Sequence, residues 1–283
     1  MFSDILLTVD FDRTLTAPDS TVPERNLEAI RWFMENGGAF TLNTGRSIPM
    51  TLEKILDKIP VSAPLLLYNG SAAYDAAKKE FTRYNPIDLD PQQVLPQLQA
   101  HFPHFGIEIQ GIEAHYLLHK DTGWEAFSDY NHCPWAYAEP DEIPGPFLKF
   151  ALYGEFREMA MSSMYEGSAE ELAEITEAAN YVMEIYGDKL EAFRACPRIV
   201  DFHAKGCSKL NSARMLQKEL GKKILVCVGD GENDLTMLSG ADYAYCPSDA
   251  IIADRFENVC SCSEGAVADV IYHKIPEILK NKA

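Results

Sequence analysis

Ile5-Leu6-Leu7-Thr8-Val9, running into Asp10-Phe11-Asp12-Arg13-Thr14-Leu15-Thr16, is the stretch whose reading decides the fold. Five apolar or β-branched residues in a row predict a strand, and the two aspartates stand where that strand ends. Strand side chains alternate faces, so Asp10 and Asp12 share a side if the extended backbone continues through both. Two like charges that close need a cation or a proton between them. Taken alone, Asp-X-Asp suits an exposed turn as well as a metal-assisted phosphoryl-transfer site, and the neighbouring sequence decides between them.

Outward from this stretch, strand and helix signals alternate. Thr21 with Glu24 has capping-box spacing, and Pro23 is tolerated in a first turn, so a helix is expected to open there. Leu27, Ile30, Phe33 and Met34 lie on one face of it, and Gly37-Gly38 ends it. Ala39–Leu42 predicts a second strand, leading into Asn43-Thr44-Gly45-Arg46. A helix over 49–58 and a strand over 64–68, closed by Asn69-Gly70, follow. Strands separated by helices imply parallel β-α-β units with right-handed crossovers.

The pattern changes after Pro86, Pro91 and Pro96. Residues 105–110 and 113–119 flank Gly111 as a hairpin, and Phe147–Tyr153 predicts another strand. Ser168 with Glu171 opens a helix expected to end near residue 180, followed by a meander of strands over 181–186, 190–194 and 198–202. After Lys205 the first pattern returns. A helix over 209–220 ends at Gly221, and the strand Ile224–Val228 runs into Gly229-Asp230-Gly231-Glu232-Asn233-Asp234. A helix, a strand over 241–246, another helix, a short strand over 258–261 and a final helix complete the chain. The expected fold is α/β: a Rossmann-like parallel-sheet core built from residues 1–84 and 203–283, with an α+β domain inserted over 85–202.

Composition narrows the function classes. The 283 residues include 43 acidic and 25 basic side chains, a formal net charge of -18. That balance argues against duplex nucleic acid or an anionic membrane as partner, since both need a basic surface. An anionic substrate has to be drawn in by local cations or a metal. No basic, apolar and small-residue segment opens the chain, and its apolar runs are strand-sized, so neither secretion nor membrane insertion is expected. Seven cysteines without framework spacing read as reduced thiols of a cytoplasmic protein. Cys260-Ser261-Cys262 reads as an alternating strand rather than a metal site, and the proline in His101-Phe102-Pro103-His104 as a turn.

Four polar clusters then fall at or beside the carboxyl ends of the core strands: Asp10/Asp12, Thr44-Gly45-Arg46, Lys209, and Asp230 with Asn233 and Asp234. Open parallel sheets bind ligands at that edge. Asp10, Asp12 and Asp230 are hard oxygen ligands suited to Mg²⁺, which bridges readily to phosphate. Thr44 offers a hydroxyl, and the Gly45 N–H can approach an oxyanion closely. Lys209 adds a charge where a helix N-terminus already favours an anion. Gly-Asp-Gly-Glu-Asn-Asp lacks the bidentate Glu of a calcium loop.

With these residues in place, the chain resembles the haloacid dehalogenase superfamily, and within it the Cof-like phosphatases with a type C2 cap. The family's Asp-X-Asp-Gly-Thr-Leu matches residues 10–15 except at Arg13, and its Thr-Gly-Arg matches residues 44–46. Its lysine segment matches residues 205–210 in part and selects Lys209, while Gly-Asp-Gly-X-Asn-Asp-X-X-Met-Leu matches residues 229–238 throughout. The resemblance implies that Asp10 is the nucleophile, forming an aspartyl phosphate, and that Asp12 is the general acid and then the base. It implies Mg²⁺ held by Asp10, the Asp12 carbonyl and Asp230, with Asp234 in support. Phosphate oxygens are then expected at the Phe11 N–H, Thr44, Gly45, Lys209 and Asn233.

The implied activity is Mg²⁺-dependent hydrolysis of a small phosphorylated metabolite, such as a sugar phosphate. A phosphomutase acting on hexose phosphates and a non-catalytic sugar-phosphate sensor are the alternatives. A P-type ATPase shares the Gly-Asp-Gly-X-Asn-Asp segment, but the membrane spans and the Asp-Lys-Thr-Gly-Thr motif are absent from the sequence. Arg13 replaces the family's glycine, its side chain pointing either away from the site or toward the anion. Leu210 replaces the glycine after the lysine, which a helix start tolerates. In the insert, Trp124, Tyr130, Asn131, His132 and Trp135 make a polar-aromatic cluster that could stack on a substrate or serve as cap core.

Overall fold

The computed structural model describes residues 1–280 apart from 53, 54, 57 and 155–166. Its contacts divide the chain into two compact units. One comprises Met1–Gly45, Leu56–Arg83 and Ser208–Ala283, and the other Arg46–Ile55 with Tyr84–Cys207. Residues 46–55, expected in the first unit, therefore group with the second.

The first unit is built on a parallel sheet. Strand β1 (Ile5–Val9) pairs with β2 (Ala39–Leu42) on one side. Every residue of β1 and β2 is buried, the pattern of strands covered on both faces. A small sheet adds β3 (Leu65–Leu67), β4 (Ala72–Asp75) and β5 (Glu80–Tyr84), with β3 antiparallel to β4 and bridged in parallel to Asn43.

The second unit is α+β. Its sheet contains β6 (Gly106–Gly111), β7 (His115–Leu117), β8 (Trp135–Tyr137), β9 (Phe147–Tyr153), β10 (Leu190–Cys196) and β11 (Ile199–Ala204). They lie in the order β10-β11-β9-β6-β7-β8, antiparallel except for the β7–β8 pair. Ile107, Ile109, Phe150, Leu152, Val200 and Phe202 form one face, packed with Leu95 and Leu98 of the helix Pro91–His101 and with Ile175 and Val182 of the helix Ala169–Tyr186. Alternation along the strands sends Glu108, Gln110, Lys149, Asp201 and His203 to the opposite face.

Back in the first unit, β12 (Ile224–Val228) pairs in parallel with the other side of β1, and β13 (Tyr243–Pro247) and β14 (Glu257–Val259) extend the sheet, giving the order β14-β13-β12-β1-β2. Leu6, Leu66, Ala213, Leu216, Leu225, Met237 and Leu238 pack into one core of this unit. The expected α/β architecture with an additional α+β domain is the one observed.

Several local expectations give way to stronger interactions. Residues 181–186, expected as a strand, are the last turns of the helix Ala169–Tyr186. A capping box at Ser168 and Glu171 starts that helix, and Ile175, Ala178 and Val182 repeat with helical spacing, which outweighs the β-propensity of the tail. The helix Glu24–Glu35 is entered through Pro23, because the Thr21 hydroxyl donates to Asp19 Oδ1 at 2.6 Å instead of capping. Pro91–His101 is a helix despite its prolines: Pro91 sits in the first turn and Asp90 accepts from the Gln92 N–H. The helix expected between 246 and 258 is a run of turns, and Cys262 lies in a 3₁₀ turn rather than on a strand through Cys260. Of the helix expected over 49–58, Ile48–Thr51 is helical, and residues 53, 54 and 57 fall outside the described residues.

Candidate active site

Asp10 follows the last residue of β1, and Asp230 stands two residues beyond β12, the strand paired beside it. Both carboxylates therefore emerge at one edge of the parallel sheet, where the Asp10 N–H donates to the Val228 carbonyl at 2.9 Å. Asp10, Asp230 and Asp234 are all buried, and each offers a carboxylate oxygen within 4.8 Å of the others. Lys209 joins them from the first position of the helix Lys209–Glu219, which Ser208 caps. Its Nζ donates to Asp10 Oδ1 at 2.6 Å and to Asp234 Oδ1 at 2.7 Å. The Lys209 side chain is 0% exposed, which rules out a solvated helix face.

Charge in this cluster is unbalanced. Burial raises the Asp10 carboxyl most, the Lys209 cation opposes it, and Asp234 and Asp12 raise it further, leaving it at about 7. Burial, then the charges of Asp10 and Asp234, push Asp230 well above the usual carboxylate range, against the Thr14 hydrogen bond and Lys209. Burial works against the Lys209 ammonium, but the two carboxylates it touches outweigh burial and raise its pKa. Buried carboxylates outnumber the cation among them, and Asp10, Asp230 and Asp234 could together hold a metal ion.

The loop after β12 has a clear internal logic. Asp234 Oδ2 accepts from the backbone N–H groups of Asp230 and Gly231, both at 3.1 Å. Both Asp234 oxygens thus carry hydrogen bonds, one side orienting Lys209 and the other folding the loop. Gly229 makes this possible, since a Cβ there would lie 2.5 Å from the Asp234 carboxyl carbon.

Thr44 and Gly45 follow β2. The Thr44 N–H donates to the Leu66 carbonyl at 2.9 Å, and its own carbonyl accepts from the Asn69 N–H at 3.0 Å. A Cβ on Gly45 would come 3.0 Å from Asn69 Oδ1, so the backbone here is closely approached. The Asn233 amide reaches the same Asn69 oxygen at 3.5 Å, linking the two loops. Phe11 is buried, whereas Asp12 is half-buried. Arg13 takes a left-handed backbone (φ 58°, ψ 9°), the conformation for which the family carries glycine. Its cation is felt at the Cys262 thiol, which burial and then Asp249 push up to about 11 against the opposing Arg13 charge.

Three residues of the site were assigned no role from the sequence. Thr14 donates to Asp230 Oδ1 at 2.8 Å, Asn43 donates through Nδ2 to the Lys209 carbonyl at 2.8 Å, and Asn69 sits beside Gly45. Thr14 falls inside the quoted first motif, and Asn43 and Asn69 each end a predicted strand, which was the available signal. In the second unit, Trp124 is buried and stacks on Tyr153 with ring centroids 4.3 Å apart. Trp124 is core there, and Asn131 is a buried acceptor for Arg46 Nη1 at 2.9 Å.

Carboxylates and a lysine gathered at the carboxyl edge of a parallel sheet suit phosphoryl-transfer chemistry. The chain belongs to the haloacid dehalogenase-like hydrolases, whose family model matches residues 7–253, and its relatives bear phosphatase names. It is 22% identical over 282 residues to the HMP-PP phosphatase of Serratia proteamaculans, covering 95% of this chain and 94% of that one. Identity to the 5-amino-6-(5-phospho-D-ribitylamino)uracil phosphatase of Bacillus subtilis is 21% over 277 residues, 95% of this chain and 94% of the relative. A solved haloacid dehalogenase-like hydrolase from B. subtilis superposes with a TM-score of 0.77 at 19% identity, covering 95% of this chain and 99% of its own.

Proposed function

We propose that the cluster of Asp10, Asp12, Lys209 and Asp230 is the active site of a Mg²⁺-dependent phosphomonoesterase acting on a small phosphorylated metabolite. The observation that carries this reading is the buried Lys209 ammonium held between Asp10 and Asp234, with Asp230 within 4.8 Å. Phosphate monoesters hydrolyse so slowly unaided that more than about 20 kcal/mol of barrier lowering is called for. A lone carboxylate cannot reach a dianionic phosphate without cations to offset their repulsion.

The roles are those that the resemblance to the family's motifs implies. Asp10 attacks phosphorus and becomes an aspartyl phosphate, while Lys209 offsets negative charge beside the attacking oxygen. The Phe11 N–H, the Thr44 hydroxyl, the Gly45 N–H and the Asn233 amide hold the phosphate oxygens. Asp12 gives a proton to the leaving alcohol, then takes one from the water that cleaves the aspartyl phosphate and frees Asp10. The Asp10 and Asp230 carboxylates and the Asp12 carbonyl would hold Mg²⁺, with Asp234 in support, and the ion would supply charge neutralisation between carboxylates and phosphate. Hard carboxylate oxygens left with excess negative charge fit that ion.

The relatives named for HMP-PP and for a phosphoribitylaminouracil support a small phosphorylated metabolite as substrate. Among the described residues no helix is long and apolar enough to cross a membrane, and the seven cysteines are free thiols, which supports a cytoplasmic setting. The test is phosphate release from p-nitrophenyl phosphate and a metabolite panel, with and without Mg²⁺. Turnover that needs Mg²⁺ and falls on the order of 10⁴-fold or more in Asp10→Asn is expected. Tight binding of sugar phosphates without turnover would instead revive the sensor, and isomerisation without release the mutase.

A further inference from the structure

The chain leaves the first unit at Gly45 and enters the second at Arg46. Both sides of that peptide bond are pinned. Before it, the Thr44 backbone bonds Leu66 and Asn69 of the first unit. After it, Arg46 donates to Asn131, and the Ser47 hydroxyl lies 2.7 Å from His115 Nε2. His115 Nδ1 is 2.7 Å from Glu108 Oε1, and Glu108 Oε2 accepts from Gln110 Nε2 at 2.7 Å. Ser47 and Glu108 are 0% exposed and His115 1%.

Protons in this chain follow from the donor inventory. Burial would raise the Glu108 carboxyl, but His115, Lys149 and Gln110 outweigh it and hold it down at about 2, so it accepts. His115 then donates from Nδ1, and one proton bridges His115 Nε2 and the Ser47 oxygen. The Ser47 oxygen still accepts the Met50 N–H at 3.4 Å, closing the turn that follows. The order serine, histidine, carboxylate is also that of an acyl-transfer triad. Here, however, the hydroxyl is wholly buried and its oxygen caps a turn, so the arrangement serves to hold Ser47 in place.

We propose that Ser47, His115 and Glu108 form a positioning array that fixes the exit of the Thr44-Gly45 segment and, with it, the Gly45 N–H offered to a phosphate oxygen. The inference rests on the reading of Thr44 and Gly45 as phosphate ligands. A loosened Gly45 weakens phosphate binding while leaving the nucleophile, the proton donor and the lysine untouched.

The test measures p-nitrophenyl phosphate turnover with Mg²⁺, together with inhibition by inorganic phosphate. In Ser47→Ala, KM and the phosphate inhibition constant are expected to rise about tenfold while kcat changes less than about threefold, the size of one lost buried hydrogen bond. Ser47→Thr keeps the hydroxyl and should stay within about twofold of the parent on both measures. If Ser47→Ala does not fold, His115→Asn carries the test, since the shorter amide keeps the Glu108 contact and drops the Ser47 one. An active, folded Ser47→Ala with unchanged phosphate inhibition overturns the array alone. Hydrolysis of p-nitrophenyl acetate by the parent, lost in Ser47→Ala while phosphatase turnover persists, overturns it in favour of a second nucleophile. A parent protein that neither binds nor releases phosphate removes the phosphatase reading and the array with it.

Discussion

Two buried ionic clusters, one in each unit, are built on opposite principles. In the first unit, Asp10, Asp230 and Asp234 crowd around the single ammonium of Lys209, and Asp10 is pushed up to about 7. In the second, each carboxylate has its own partner: Glu108 faces His115 at 2.7 Å and Asp201 faces Lys149 at 3.1 Å. Glu108 accordingly sits at about 2. A buried carboxylate left without enough cation is unstable until something positive arrives, which suits a binding site. A buried carboxylate matched one to one is already satisfied and fixes architecture. The contrast separates function from framework using charge balance alone.

The sharpest way to break this distinction is to unbalance the second cluster. Asp201→Ala leaves the buried Lys149 ammonium without its carboxylate and should cost about 3–5 kcal/mol of stability. Replacing the pair together, Lys149→Met with Asp201→Leu, should cost less than Asp201→Ala, because two apolar side chains need no compensation and only the charge that Lys149 lends Glu108 is lost. Denaturant midpoints of the three proteins check both statements. A double variant as unstable as Asp201→Ala would show that the pair does more than balance itself.

The pH dependence of the two clusters is the next test. Glu108 titrates near 2 when folded, against 4.5 as the ordinary value. A folded pKa below the unfolded one means that the stabilisation is complete above about pH 4.5 and is lost as pH falls toward about 2, amounting to roughly 3 kcal/mol. Glu108→Gln should therefore flatten the loss of melting temperature between about pH 5 and 2, relative to the parent. Unchanged slopes would mean that other carboxylates govern acid unfolding.

Charge excess in the first cluster makes the complementary prediction. Mg²⁺ added to chelated protein should stabilise it by about 1.4 kcal/mol at a tenfold excess over Kd, a melting shift of about 2–4 °C. Asp230→Asn should abolish the shift, whereas Glu108→Gln should leave it intact. A shift that survives Asp230→Asn places the ion elsewhere.

Much of this was legible in the sequence where a short local pattern carries the whole signal. Ile5–Val9, Ala39–Leu42 and Ile224–Val228 are apolar runs of strand length, and the motif residues follow them directly. Pairings that cross the chain were not legible. Thr14 meets Asp230 across 216 residues and Asn43 meets Lys209 across 166, and no local pattern encodes either contact. Residues 181–186 were misread for a related reason: aromatic and β-branched side chains favour a strand locally, while the helix that holds them is set by a cap at Ser168 and by packing of Val182. The Ser47–His115–Glu108 chain belongs to the same class: Ser47 adjoins the Thr-Gly-Arg motif, but its partner His115 lies 68 residues away.

The smallest expected effect concerns Arg13, where the first cluster meets its own strain. A non-glycine residue at φ 58° costs roughly 1–2 kcal/mol relative to glycine. Arg13→Gly relieves that cost, while the freer unfolded chain returns up to about 1 kcal/mol of it. A net gain of about 0.5–1 kcal/mol in stability is expected, readable as a small rise in melting temperature. On the reading that its side chain points away from the anion, KM for p-nitrophenyl phosphate should stay within about twofold of the parent. A KM raised about tenfold would instead add Arg13 to the cations that draw phosphate toward Asp10, narrowing the charge deficit on which the contrast between the two clusters depends.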